Sequence, residues 1–79
     1  MTVLLFARPR EVVGAGHLEI EMADGATAGD VFDVLVTRSP RLADMKSVVR
    51  PAEDNEYATW SSELREGSEL ALIPPTAGG

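Results

Sequence analysis

The chain has 79 residues, a net charge of −6, no cysteine and one histidine. It is long enough for one small domain but not two, and its 44% apolar and 25% charged content is that of an ordinary globular protein. Without cysteine there are no disulfides, thiolate metal sites or thiol catalysis, and no apolar run approaches the roughly 18 residues that span a membrane.

The charge is lopsided. Residues 1–50 hold six basic and seven acidic side chains, whereas residues 51–79 set Arg65 alone against six acidic ones. Such a surface repels nucleic acid and is steered towards a basic partner. His17, at the head of an alternating segment, reads as an exposed structural residue, and no metal site is expected. The opening MTVLLFARPR lacks a basic leader and a small-residue cleavage site, so it reads as a strand and not a signal peptide. Together with the missing cysteines, this points to the cytoplasm.

In chain order, TVLLFA (2–7) is apolar throughout and fits a central strand covered on both faces. RPREVVGAG then reads as a long hairpin connection. HLEIEM (17–22) alternates, with Leu18, Ile20 and Met22 on one face and Glu19 and Glu21 on the other, and predicts a half-buried strand. Asp24-Gly25 marks a turn. Thr27 followed by Asp30 has the spacing of a capping box. From there Val31, Val34 and Leu35, widened by Phe32 and Val36, form the apolar stripe of a helix laid over a sheet. Ser39-Pro40 ends that helix near Arg38.

Residues 41–47 add a helical turn. Val48 and Val49 suggest a strand, but Pro51 confines it to an edge or a bulge. YATW (57–60) is a short strand candidate, Glu66-Gly67 a turn, and ELALI (69–73) a final apolar strand. The expected fold is α+β: a roll in the manner of ubiquitin, with the first and last strands side by side in a sheet of four to five strands and one main helix across it. Residues 1–73 form the domain and 74–79 a tail.

That tail reads PPTAGG. Pro74 and Pro75 lack N–H groups, so sheet pairing stops there and the chain leaves extended. Six residues at about 3.1–3.5 Å each reach roughly 20 Å, enough to enter another protein's active site. Thr76 and Ala77 are small, and Gly78 and Gly79 have no Cβ, so the terminal carboxylate fits a narrow channel. A frayed end also finishes this way. The chemical alternative is a carrier whose Gly79 carboxylate is activated on the α-phosphate of ATP and then attacked by sulfur. Such a carrier needs no catalytic side chain of its own.

Three separated stretches resemble the small (sulfur carrier) subunits of molybdopterin synthase. LLFARPREVVG matches their Leu-Phe-Ala-x-x-Arg-Glu-x-x-Gly opening at Leu5, Phe6, Ala7, Arg10, Glu11 and Gly14. DGATAGDVFDVL is similar to their turn, cap and helix, which thiamine-pathway sulfur carriers share. LREGSELALIPPTAGG is similar to their closing strand, Pro-Pro and Gly-Gly, and Asn55-Glu56-Tyr57 is a shorter match. The resemblance implies a β-grasp fold and a subunit that donates sulfur without catalytic groups of its own. It implies that a partner adenylyltransferase, related to ubiquitin-activating enzymes and using ATP, activates Gly79, which then becomes a thiocarboxylate. It also implies that Pro74 to Gly78 insert into the large subunit, in a two-plus-two heterotetramer, where sulfur passes to cyclic pyranopterin monophosphate. Phe6 and Ile73 match positions in the family's apolar docking surface, and Arg10 its motif arginine, assigned to the tail's surroundings. No bound cofactor is implied for this chain.

The sequence departs from the family at PAEDNEY, where Glu53 and Asp54 replace an apolar residue and an amide. An unpaired buried Glu53 costs several kcal/mol, so this strand is expected to be short, exposed or displaced. Competing readings are a carrier for thiamine or cysteine synthesis, a ubiquitin-like modifier of lysines, and an interaction domain with an inert tail.

Overall fold

The computed structural model describes residues 1–75; Thr76 to Gly79 lie outside it. Five strands form one sheet: β1 (Thr2–Leu5), β2 (His17–Glu19), β3 (Arg50–Glu53), β4 (Glu56–Tyr57) and β5 (Glu69–Ile73), in the order β2-β1-β5-β3-β4. β1 and β5 pair in parallel, Thr2 opposite Glu69 through Leu5 opposite Leu72, and the other pairings are antiparallel. Helix α1 (Ala7–Val13) follows β1, and α2 (Ala28–Arg38) packs on the sheet with a 3-10 helix over Pro40–Met45. This is the β-grasp arrangement expected from the sequence.

The core lies between α2 and one face of the sheet. Val3, Leu5, Leu70 and Leu72 point into it from β1 and β5, and Val31, Phe32 and Leu35 from α2, with Leu42 of the 3-10 helix beneath. Phe32 meets Trp60 edge-on, with ring centroids 5.1 Å apart. Fully burying side chains of this size contributes about 1.5–3 kcal/mol each.

Helix α2 has the predicted ends. Thr27 Oγ1 accepts from the Asp30 N–H at 3.1 Å, and the Asp30 carboxylate accepts from the Thr27 N–H at 2.9 Å, a reciprocal capping box. Two further N-terminal donors are satisfied from a distance: the Ala28 N–H donates to the Ser62 carbonyl and the Gly29 N–H to the Trp60 carbonyl, at 3.1 and 2.7 Å. A Cβ at Gly29 would stand 3.0 Å from that Trp60 oxygen, so a larger residue would have to push the carbonyl back by a few tenths of an ångström.

Four expectations are corrected. Residues 7–13 are not a hairpin connection but helix α1, which Pro9 enters in the first turn, where no N–H is needed, and which Gly14 closes in the left-handed region at φ 87°. The strand foreseen at 17–22 is assigned only over His17–Glu19, although Ile20 and Met1 exchange backbone hydrogen bonds beyond it. The predicted 57–60 strand is β4, displaced to Glu56–Tyr57.

Pro51 is not in an edge strand: β3 lies between β5 and β4. The Pro51 carbonyl accepts from Ala58 on the β4 side at 2.9 Å. The N–H and C=O of one strand residue point the same way, so the missing donor faces the short β4 and the pairing with β5 is left whole.

Replacing Thr27 by Ala removes one half of the box and is expected to lower stability by about 1 kcal/mol. The measurement is urea unfolding, and an unchanged midpoint would show that the box contributes nothing.

Candidate functional site

Alternation along β1 and β5 decides what stands outside. With Val3, Leu5, Leu70 and Leu72 turned to the helix, Leu4, Ala71 and Ile73 point to the opposite face. Phe6 keeps extended backbone (φ −127°, ψ 156°) and so continues that outer row next to Ile73. No element covers this face among the described residues, contrary to the expectation that β1 is enclosed on both sides. Leu4, Phe6, Ala52, Ala71 and Ile73, with Asn55 and Tyr57 at the rim, line a shallow apolar hollow of about 230 Å³. Phe6 is 44% exposed and Tyr57 59%. The Arg50 guanidinium stacks 3.8 Å above the Tyr57 ring and stiffens that edge.

The strand ends where Pro74 begins, one residue past Ile73. Pro74 and Pro75 are assigned to no strand, and on the side of the chain away from the hollow they line a second cavity with α1 and the 3-10 helix. The tail residues Thr76, Ala77, Gly78 and Gly79 lie outside the described residues. Ile73 and Phe6 are therefore brought together at the root of the tail. Arg10 is not brought there: its guanidinium lies against Gly16, on the β2 side of β1. The arginines at the tail root are Arg8 and Arg41. Arg50, Arg8 and Arg41 were not singled out from the sequence, and Tyr57 only within the Asn55-Glu56-Tyr57 match. Alternation on β1 was the usable signal for the outer face, because an apolar residue at every position means two apolar faces and the chain has one main helix to cover them.

Glu53 is neither displaced nor unpaired. It sits in β3 with its side chain 13% exposed, and its carboxylate accepts the Arg65 backbone N–H at 2.6 Å, with the Arg65 Nε 3.5 Å away. That backbone hydrogen bond holds its carboxyl below the ordinary glutamate value near 4.5; burial works against it, and the guanidinium of Arg65 adds to the lowering. The Ser68 hydroxyl favours the same direction from close by, but without reaching hydrogen-bond geometry. Asp54 and Asn55 both adopt positive φ, 47° and 72°, and form the two-residue turn into β4. Asp54 then accepts the Glu69 N–H at 2.9 Å and pairs with Arg65 at 3.3 Å. The acidic pair Glu53 and Asp54 thus closes on the 65–69 turn, at the end of the molecule away from the tail.

Among the described residues no cluster of three or more His, Cys, Asp or Glu is placed to hold a metal, and no helix is long and apolar enough to cross a membrane. What the described surface offers is an exposed apolar face beside the end of β5.

The sequence matches the family model described as the ThiS family over residues 3–79. This chain belongs to the ThiS family. Within that family it is similar to the molybdopterin synthase sulfur carrier subunit of Arabidopsis thaliana, 43% identical over 77 residues that cover 98% of this chain and 80% of the relative. It is also similar to the subunit of that name from Mycobacterium tuberculosis, 35% identical over 80 residues covering 100% and 96%. Among solved structures it is similar to Haloferax volcanii small archaeal modifier protein 1, with a TM-score of 0.82, 29% identity and 95% of each chain covered. A ThiS-family match that runs to residue 79 takes in the Gly-Gly end as well as the sheet.

Glu53 with a depressed folded-state pKa contributes stability that is fully present above about 4.5 and is lost as pH falls from there through the lower folded value. Glu53→Gln is therefore expected to cost about 1 kcal/mol at neutral pH, allowing for the exposure of Arg65, and almost nothing once the pH is below the lowered folded-state value. Denaturant unfolding of both proteins across this range measures it; a difference independent of pH would remove the charge from the explanation.

Proposed function

We propose that this chain is the sulfur carrier subunit of a molybdopterin synthase. The observation that carries the reading is the exposed apolar face holding Phe6 and Ile73, which runs directly into a Pro-Pro stop and a Gly-Gly end in a chain matched to the ThiS family through Gly79. The names of relatives at 43% and 35% identity support the same assignment.

In this reading the Gly79 carboxylate attacks the α-phosphate of ATP in the active site of an adenylyltransferase. Pyrophosphate leaves, and an acyl-adenylate results. A sulfur nucleophile attacks the acyl carbon, AMP departs, and Gly79 ends in a thiocarboxylate. The outer face then docks on the large subunit, and Pro74 to Gly78 carry the thiocarboxylate inward to cyclic pyranopterin monophosphate. This chain supplies the docking surface, the reach and the acyl group. The catalytic groups are the partners', which accords with a sequence that has no cysteine and one histidine, exposed on β2. The proline pair keeps the exit from β5 out of the sheet, so the tail cannot be absorbed by strand pairing.

A second reading is favoured by the likeness to Haloferax volcanii small archaeal modifier protein 1, 31% identical over 83 residues and similar in structure. A modifier shares the adenylation step but passes its acyl group to a lysine amine in place of sulfur.

The two separate in one reaction. With activating enzyme, ATP and a sulfur donor, intact mass spectrometry is expected to show one carboxylate oxygen of Gly79 exchanged for sulfur, and the protein lacking Gly79 is expected to show no exchange. Isopeptide-linked products without thiocarboxylate would favour the modifier. Neither product, with function surviving loss of Gly79, would leave an inert tail.

A further inference from the structure

Behind the tail root, on the side away from the outer face, lies a cavity of about 570 Å³ with α1 on one wall and the 3-10 helix on the other. Pro74 and Pro75 form its edge. Its floor is apolar, from Val12, Met45 and Val48, and Val48 is half exposed, one of three large apolar side chains so open among the described residues. Phe6 and Tyr57, the other two, belong to the outer face.

The rim carries Arg8 and Arg41, both exposed, against one lining carboxylate, Asp44; Glu11 lies farther along, beside both arginines. Neither arginine forms an ion pair among the described residues, where the ion pairs found involve Met1 and Arg65. Two guanidiniums without an ion pair among the described residues thus edge an exposed apolar floor, with Asp44 and Glu11 balancing their charge nearby.

We propose that this groove is a second docking point for the tail-receiving partner, taking a segment in which an apolar side chain stands beside carboxylates. The inference rests on the proposed function and adds a contact that the outer face does not provide. Residues 76–79 continue from Pro75, so a partner that receives the terminal carboxylate comes up to Pro75, which stands between the groove and the outer face. Ile73 and Phe6 meet it on one side, and the groove is what it meets on the other. The apolar floor selects a protein side chain over a free phosphate, and the two guanidiniums select acidic neighbours for it.

The test is calorimetric titration of the full-length chain into the molybdopterin synthase large subunit, at low and high salt. Arg8→Glu/Arg41→Glu is expected to weaken binding about tenfold and to flatten its salt dependence. Val48→Ser is expected to weaken binding several-fold without altering the salt dependence. All three residues are exposed, so thermal melting of the variants should match that of the wild type, which separates lost docking from lost fold. Phe6→Asp provides the outer-face comparison. Unchanged affinity in both groove variants, with binding lost in Phe6→Asp, would overturn the groove and leave the proposed function standing. A wild-type chain that does not bind the large subunit at all would overturn both. Concentration-dependent self-association of the wild type that the arginine reversal abolishes would assign the groove to a second copy of this chain and overturn the proposal.

Discussion

The parallel pairing of β1 with β5 is the constraint on which the rest of the molecule depends. Parallel neighbours cannot be joined by a tight turn, so everything from Phe6 to Ser68 is one long crossover between them. The register, Leu5 opposite Leu72, makes Phe6 and Ile73 neighbours although 67 positions separate them, and it starts α1 at the point where Pro74 leaves the sheet. The Phe6–Ile73 part of the apolar face, the groove and the end of β5 meet at one end of the molecule for that reason. Alternation does the rest: the same two strands seal the core with Val3, Leu5, Leu70 and Leu72 and present Leu4, Ala71 and Ile73 to solvent.

Polar groups are arranged with equal economy at the opposite end. The N-terminus of α2 is closed by its own capping box and by the carbonyls of Trp60 and Ser62, so the irregular 58–64 segment is held by the helix it caps. The following turn brings Arg65 to Glu53 and Asp54, and the Asp54 side chain accepts the Glu69 N–H at the start of β5. Acidic residues that look disruptive in a strand are thereby used to anchor it. Satisfying a half-buried carboxylate with a backbone N–H is far less costly than leaving it bare. The net result is a polarised molecule, acidic around the 53–69 turns and apolar around the tail root, where Arg8 and Arg41 stand against Asp44 and Glu11.

Much of this was legible in the residues. The capping box at Thr27 and Asp30, the end of α2 at Arg38, the apolar first and last strands and the proline stop all follow from local rules acting over four or five neighbours, and the structure has each of them. Phe6 and Ile73 were reached through family resemblance, and their shared face was then a matter of register. Helix α1 was missed because Pro9, Gly14 and Gly16 are turn residues in most contexts. Only a strand delivering Phe6 in extended form, followed by Ala7 at φ 50°, lets Pro9 fall in a first helical turn. Pro51 misled for a related reason: whether a missing N–H matters depends on which neighbour it would have faced.

The sequence by itself determined which segments are strand or helix wherever a period of two or 3.6 runs cleanly, where α2 starts and stops, and that the chain cannot pair beyond Ile73. These are consequences of backbone geometry and neighbouring side chains. The sequence placed β1 and β5 side by side, but tertiary structure alone decided that they run parallel, that one face of β1 stays open, that Glu53 finds the Arg65 N–H, and that Arg8 and Arg41, not Arg10, stand beside the tail root. Each of those depends on residues distant in sequence meeting in space, and no local period encodes which distant residue will be there.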